Sequence, residues 1–383
     1  MDSPFPFSHY VTGKNFVGRK GDVSLLGNLL SQGEHVCIYE PPRTGKTSLI
    51  QETLFSLRSK GVLFSVGQFS AQNISTPEQF LLRMGSTLIR MVASTPSECS
   101  ALVERYLSGT HFIFDAAAYA ERDEVLSLNW DWDDADVAAL LSFPFRLAQE
   151  RGDRMMLIVD EFQCIGQMDD ADGFFRQLDA SLRENRDNSR FSYLFCGSAV
   201  NAMDRIFHGS RLFSRIVERV CLSPVDEREM TDQIYRGFLT SGKSVDKNLL
   251  QAACHLFRGH VWYINTFAFY CDSMSRGFIM EPMLEDALSC LLSQHAVRFN
   301  AVMSDLTTHQ VNLLKAVVDG VTRFSSADVI RQYDLHSSAN VKRVKDALMK
   351  KEVLLFDESD RPVIIDPLFE YWVRKYYFEQ KNV

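Results

Sequence analysis

The segment from residue 37 to residue 50, CIYEPPRTGKTSLI, contains the residue types of a phosphate-binding loop. Gly45 lets the backbone approach phosphate oxygens, Lys46 can reach the β and γ phosphates, and the Thr47 hydroxyl can hold Mg²⁺. The segment follows an apolar run and precedes a helical run, the context that this motif requires, so a chance TGKT turn is a weak alternative. We therefore predict nucleotide contacts from Pro42, Arg43, Thr44, Gly45, Lys46, Thr47 and Ser48.

Glu40 occupies the position where the consensus loop has its first glycine. That glycine serves the turn from strand to loop more than it serves phosphate contact. A carboxylate on the rim of the loop would be screened by water, and Arg43 lies three residues further on. Pro41 and Pro42 lack an N–H, but they precede the amides that bind phosphate. We predict that nucleotide binding survives and that Glu40 lies on the rim, pointing away from the phosphates.

A second acidic motif ends the apolar run MMLIVDEF at Asp160 and Glu161. Asp160 is predicted to hold Mg²⁺ through water, and Glu161 to polarise the attacking water, as in a Walker B motif. Two acids after an apolar strand are common and are mostly structural when they occur alone. Their position after the TGKT motif, with another strand-like run between them, makes the Walker B interpretation specific. We therefore expect an ATPase that acts on the β–γ phosphoanhydride.

The elements that position these motifs alternate between strands and amphipathic helices in the first half of the chain. Five short apolar runs read as buried strands: residues 35–40, 62–70, 154–162, 191–198 and 217–224. This alternation predicts an α/β fold of the P-loop NTPase type, a parallel sheet with helices on both faces. From about Asp226 the pattern becomes helical. From about Leu306 it changes to three short helices and a β-hairpin in EVLLFDESDRPVIID, the order of a winged helix.

The predicted domains are therefore an ATPase domain over 1–225, an all-α lid over 226–305 and a winged helix over 306–383. A chain of 383 residues is consistent with two or three domains. The net charge of −8 argues against a protein that binds nucleic acid over most of its surface, but it leaves a local basic face possible. The sequence shows no apolar run long enough for a bilayer and no signal peptide, so we expect a cytoplasmic protein without membrane contact.

Several stretches resemble the archaeal-type ATPases of the AAA+/STAND group, over about residues 14 to 378. These are NFVGRKGDVSLLGNLL, VDEFQCI, LFCGSAV, RLFSRIVERVCLSP and VIIDPLFEYWVRKYY. The resemblance implies that Val17, Gly18 and Arg19 pack on adenine, mainly through their backbone. It also implies that Ser198 reads the γ-phosphate, and that Arg215 contacts phosphates in cis or from a neighbouring subunit. The alternative for Arg215 is an ordinary surface arginine.

The lid sequence RGHVWYINTF resembles the G-x-P turn of STAND proteins, with Val261 in place of the proline. It lacks the usual following arginine of AAA+ lids, so Arg258 or His260 could substitute as a nucleotide sensor. The simpler interpretation is that His260 caps a helix.

The winged helix offers a recognition helix in HSSANVKRVKDALMKK. Lys342, Arg343 and Lys345 on this helix, with Arg361 at the wing tip, could contact DNA phosphates. Acidic residues close by leave a protein partner as an equal alternative.

The leading interpretation is a switch protein that binds and hydrolyses Mg-ATP, has ATP and ADP as its ligands, and has a winged-helix output domain. It could form homo-oligomers in the ATP state. Two alternatives remain: a nucleotide-gated DNA-binding regulator or initiator with little hydrolysis, and the regulatory ATPase of a defence or toxin system.

Overall fold

The computed structural model describes residues 3–121, 124–129, 132–209, 211–357 and 359–379. The chain divides into two compact units. The sheet unit comprises Lys20–Glu40 and Glu52–Leu222, and the loop–lid unit comprises Met1–Arg19, Pro41–Gln51 and Ser223–Val383. The phosphate-binding loop and the predicted lid and winged helix are thus parts of one unit.

The chain from residue 20 to residue 222 contains seven strands and eight helices in its described part. The strands are β1 His35–Tyr39, β2 Ser65–Ser70, β3 Phe112–Phe114, β4 Leu126–Leu128, β5 Met155–Asp160, β6 Phe191–Gly197 and β7 Val217–Arg219. The helices are α1 Lys20–Gln32, α2 Lys46–Ser59, α3 Pro77–Val92, α4 Pro96–Leu107, α5 Ala116–Glu121, α6 Asp134–Arg151, α7 Ala171–Glu184 and α8 Val200–Phe207. A 3-10 helix over Phe162–Gln167 follows β5.

Five of these strands form a parallel sheet in the order β2-β5-β6-β1-β7. All five predicted strands are present, and the P-loop type of α/β fold is confirmed. Every residue of β1 and β6 is buried, as expected for central strands of a parallel sheet that helices cover. Because the strands are parallel and in register, Ser70 of β2 lies beside Asp160 of β5. The carboxyl ends of the strands, where ligands bind in such sheets, therefore share one edge.

The antiparallel pair β3–β4 was not predicted, and it lies between β2 and β5 in the chain. Its strands have three residues each, too few to produce a clear alternation in the sequence.

The chain from residue 223 onward is mainly helical. Its helices are α9 Glu227–Thr240, α10 Lys247–Leu256, α11 Val261–Met274, α12 Glu281–Ser304, α13 Thr308–Val318, α14 Ala327–Gln332, α15 Ser338–Lys350 and α16 Pro367–Trp372, which continues as a π-helical turn over Val373–Phe378. Its strands are β8 Ser244–Val245, β9 Phe278–Ile279, β10 Leu354–Phe356 and β11 Pro362–Ile364. The N-terminal segment of the same unit contains a 3-10 turn over Gly13–Asn15.

The first helix of the predicted lid, α9, begins after Asp226, whose carboxylate accepts from the N–H groups of Arg228 and Glu229. It is not wholly helical, since β8 and β9 form a parallel pair in which Val245 and Ile279 are buried. Two residues per strand are too few for a sequence pattern to reveal, so the expectation of an all-α lid needs this small correction.

The C-terminal region contains the predicted winged helix. Helices α13, α14 and α15 precede the antiparallel hairpin β10–β11, in which Leu355 pairs with Val363. The Asp357 carboxylate accepts from the N–H groups of Ser359 and Arg361, which holds the turn of the wing. Of the helices in the described ranges, none combines the length and apolar character that spanning a bilayer requires.

Candidate nucleotide site

Two side chains of the predicted phosphate-binding loop donate hydrogen bonds to the carbonyl of Pro41 in the same loop. This oxygen accepts hydrogen bonds from Lys46 Nζ at 3.0 Å and from the Thr44 hydroxyl at 2.8 Å. Gly45 has a φ of 103°, a conformation that side chains rarely adopt, and its carbonyl accepts the Leu49 N–H in the first turn of α2. The loop therefore holds Lys46 next to an oxygen, in a position where it could exchange that partner for a phosphate.

Arg19 fastens this loop through its side chain. Its Nη1 donates to the Thr44 carbonyl at 2.7 Å, and its Nε donates to the Ser223 carbonyl at 2.8 Å. A Cβ on Gly45 would lie 2.8 Å from Arg19 Nη1, so a side chain at this position would displace the guanidinium as well as strain the backbone. The family resemblance assigned mainly backbone contacts to Arg19, and the guanidinium contact with the loop is an addition from the structure.

The N-terminus of α11 meets the loop through His260. Its Nδ1 accepts the Tyr263 N–H at 3.4 Å, so His260 is the helix cap, as the simpler interpretation held. Its Nε2 lies 3.2 Å from the Pro42 carbonyl and must carry the proton, because Nδ1 acts as an acceptor. Burial lowers the pKa of His260 to about 4, against an opposing effect of Asp366, so the imidazole is neutral near pH 7.

Trp262 on α11 is a second contact to the loop. The Arg43 guanidinium lies 4.1 Å from the centre of the indole ring, a cation–π contact, and the indole N–H donates to the Phe7 carbonyl at 2.8 Å. Trp262 therefore connects the loop to the N-terminal segment. Sequence reasoning missed this role, although the Trp262–Tyr263 pair next to the G-x-P-like turn was a visible signal.

Arg258 has a different role from the nucleotide sensor that was considered for it. Its Nη2 donates to the Ile364 carbonyl at 2.9 Å and lies 3.0 Å from Glu370 Oε2. Arg258 thus ties the lid to the wing strand and to the last helix.

A cavity of 530 Å³ opens beside these elements, and all its lining residues belong to the loop–lid unit. The predicted residues that line it are Val17, Arg19, Arg43, Gly45, Lys46, Thr47 and Ser48. Three other predicted residues are not among those lining residues. Gly18 has a φ of 68°, the Pro42 carbonyl accepts from His260, and the Thr44 carbonyl accepts from Arg19. The remaining wall comes from the N-terminal segment, which includes Phe7 and Tyr10, and from lid residues that include Trp262 and Asn265.

The acidic motif lies in the sheet unit, at the end of β5. Asp160 Oδ1 accepts the Glu161 N–H at 3.0 Å, and Glu161 has a φ of 53°. Glu161 Oε2 accepts hydrogen bonds from the Ser198 hydroxyl at 2.7 Å and from Gln163 Nε2. The structure therefore brings together two predicted catalytic residues, Glu161 and Ser198, and adds Gln163.

Gln163 is 8% exposed, and its Oε1 has no hydrogen-bond partner among the described residues. The sequence signal that could have identified Gln163 was an amide side chain among apolar residues, two positions after Glu161.

Arg215 lies in an exposed turn before β7 with a φ of 62°, and its contact with phosphate stays a prediction.

The predicted basic face of α15 is smaller than the sequence suggested. Lys342, Arg343 and Arg361 are exposed. Lys345 is engaged within the domain, because its Nζ lies 3.9 Å from the centre of the Phe356 ring and 3.3 Å from Asp360 Oδ1. An ammonium group with these two partners is less available for a DNA phosphate.

Comparisons with known proteins agree with this architecture. The model of the probable winged helix domain family matches residues 297–375. Among solved structures, the chain is similar to a Walker-type ATPase of Pyrococcus abyssi, with 15% identity and a TM-score of 0.67 over 97% of this chain and 99% of that one. It is also similar to the ORC2 protein of Aeropyrum pernix in ADPNP–ADP complexes, with 13% identity and a TM-score of 0.58 over 99% and 98% of the two chains. No curated protein matches the sequence.

At such low identities, the TM-scores over nearly the whole of each chain show a shared fold and nothing more. The predicted fold class is confirmed: the chain shares the fold of these two solved structures, and a probable winged helix domain covers residues 297–375.

Proposed function

We propose that this protein binds Mg-ATP and hydrolyses it to ADP as a STAND-type switch, with the winged helix as its output domain. The observation that carries the proposal is the 530 Å³ cavity, which contains Gly45, Lys46, Thr47 and Ser48 in its wall. This volume lies within the range of about 300–1,000 Å³ for small-molecule pockets. The ADPNP–ADP complexes of the structurally similar ORC2 protein support an adenine nucleotide as the ligand.

The loop residues fit a triphosphate. Helix α2 begins at Lys46, and the free N–H groups at a helix N-terminus attract phosphate. The Lys46 ammonium, now 3.0 Å from the Pro41 carbonyl, would exchange this neutral acceptor for charged β and γ phosphate oxygens. Arg19 would keep the loop in place, because its bonds go to backbone carbonyls that the nucleotide does not need.

The donor set for a metal also fits Mg²⁺. The Thr47 hydroxyl and the Asp160 carboxylate are hard oxygen ligands. Within the described part of the chain, no group of three or more His, Cys, Asp or Glu side chains could hold a metal. A Mg²⁺ ion bound by either oxygen would take most of its ligands from phosphate oxygens and water, the usual situation in nucleotide sites.

Ser198 suggests how hydrolysis is controlled. In this structure its hydroxyl donates to Glu161, the predicted base. We propose that the γ-phosphate draws the Ser198 hydroxyl away and so frees the Glu161 carboxylate to polarise water. Ser198 would then sense the γ-phosphate. When no γ-phosphate is bound, its hydrogen bond to Glu161 would restrain hydrolysis.

The experiment is phosphate release by wild type and by Glu161→Gln, with Asp169→Asn as the control. Asp169 is an exposed carboxylate beyond the 3-10 helix that follows β5. Glu161→Gln should bind ATP as wild type does and lose about a hundredfold or more in turnover. Equal turnover in all three proteins would overturn hydrolysis at this site.

A second candidate is a nucleotide-gated DNA-binding regulator with little hydrolysis. The observation in its favour is that Lys342, Arg343 and Arg361 are exposed on the predicted recognition helix and the wing.

Arg215 concerns a separate proposal, the formation of a homo-oligomer in the ATP state. Its exposed position is compatible with a contact to a nucleotide of a neighbouring subunit.

A further inference from the structure

Two amide side chains in the wall of the cavity have no role in the account so far. Asn265 lies on α11 and Gln233 lies on α9, and both line the cavity and are half-buried. We propose that Asn265 and Gln233 select adenine over 6-oxopurine bases by reading the 6-amino group and N1. This inference rests on the proposed function, since it concerns the base of the nucleotide that the loop binds.

The orientation of the Asn265 amide follows from its partner. Its Nδ2 donates to the Val261 carbonyl at 2.9 Å, one turn earlier in α11. A carbonyl oxygen can only accept, so the nitrogen faces it with one of its two N–H groups, and Oδ1 is left as the acceptor of this amide. Asn265 therefore offers an acceptor to a ligand in the cavity.

The Gln233 amide has the opposite orientation. Arg236 Nη2 donates to Gln233 Oε1 at 3.3 Å. A guanidinium can only donate, so the oxygen faces Arg236, and the two N–H groups of Nε2 are left as the donors of this amide. Gln233 therefore offers a donor.

One acceptor and one donor match adenine and mismatch the 6-oxopurines. Adenine presents a 6-amino donor and an N1 acceptor, whereas hypoxanthine and guanine present an O6 acceptor and an N1–H donor. With a 6-oxopurine, Asn265 Oδ1 would face another acceptor and Gln233 Nε2 would face another donor. A site built to hydrogen-bond one pattern rejects the reversed pattern because its polar atoms are left unpaired.

The test is calorimetric titration with ADP and with inosine diphosphate, which differ at the two positions that the amides would read. Wild type should bind ADP about tenfold or more tighter than inosine diphosphate. Asn265→Ala should weaken ADP binding, and it should strengthen inosine diphosphate binding because it removes the acceptor that faces O6. Gln233→Glu replaces the donor with an acceptor, so it should weaken ADP and strengthen inosine diphosphate. Ser273→Ala, an exposed position on α11, is the control and should match wild type.

Thermal melts confirm that each variant is folded, and Gln233→Glu, on a different helix, serves if Asn265→Ala is not. Equal affinity of wild type for the two nucleotides, or an unchanged ratio in both variants, would overturn the base selection. The proposed function fails differently: wild type would then bind neither nucleotide, or Lys46→Ala would bind both as well as wild type does.

Discussion

Glu40 is a structural residue in this protein. Its Oε1 accepts the N–H of Leu222 at 3.2 Å, and both residues belong to the sheet unit. Leu222 comes soon after β7, and Glu40 directly follows β1, the strand that pairs with β7. The carboxylate thus adds one hydrogen bond between the segments that follow β1 and β7, beyond the backbone hydrogen bonds that pair the two strands.

The cost of Glu40→Gly can be worked out from this contact. A hydrogen bond to a charged group contributes about 1.5–3 kcal/mol, and the long distance and partial exposure favour the lower end. A glycine with ordinary φ adds freedom to the unfolded chain that costs about 0.4–1 kcal/mol. The free energy of unfolding should therefore fall by about 2 kcal/mol. A domain of this size should lose roughly 4–8 °C in Tm.

Thermal and urea melts of wild type, Glu40→Gly and Glu40→Gln measure this effect. Glu40→Gln keeps an acceptor and should lose less than half as much stability. ATP affinity should change little in either variant, because the carboxylate is engaged with Leu222. Unchanged stability in Glu40→Gly would refute the structural role. A gain of about tenfold for ATP but not ADP, roughly 1.4 kcal/mol, would instead show that Glu40 repels the γ-phosphate.

Three further predictions concern the hydrolytic carboxylate, the lid and the winged helix. Gln163→Leu removes one of the two donors to that carboxylate, so phosphate release should rise about threefold or more at unchanged ATP affinity; a lower rate would argue against a restraining contact. Folded His260 stays neutral until about pH 4 while the unfolded residue protonates near 6.5, so its contribution to stability is complete above pH 6.5 and is lost as the pH falls towards 4. His260→Asn, which can still cap, should flatten the dependence of Tm on pH, and an unchanged slope would contradict this. Replacing Lys342 and Arg343 with glutamate should abolish duplex DNA binding at low salt, whereas Lys345→Gln should mainly lower Tm; wild type that retards no duplex would favour a protein partner.

Much of the fold was predictable because its signals are local. The strands β1, β5 and β6 are continuous apolar runs, and Asp226 and the TGKT motif mark element starts by side-chain chemistry. The pairs β3–β4 and β8–β9 were not predictable, because two or three residues per strand carry too little pattern.

The contacts that shape the candidate site were less predictable, since they join residues far apart in the chain. The Arg19 guanidinium reaches Thr44 and Ser223, and the Arg43–Trp262 stack depends on the lid approaching the loop. A motif identifies the loop but does not say which side chains hold it. Lys345 shows the same limit, because the sequence places this basic residue on α15 but does not reveal its contacts with Phe356 and Asp360.

The central claim, that the loop binds ATP, is tested most directly by calorimetric titration of Mg-ATP into wild type, Lys46→Ala and Lys60→Ala. Lys60 is an exposed lysine just beyond the other end of α2 and serves as the matched control. We predict that wild type and Lys60→Ala bind one ATP per chain, and that Lys46→Ala shows no measurable binding while melting as a folded protein. Binding of ATP by Lys46→Ala with the affinity of wild type would contradict the account.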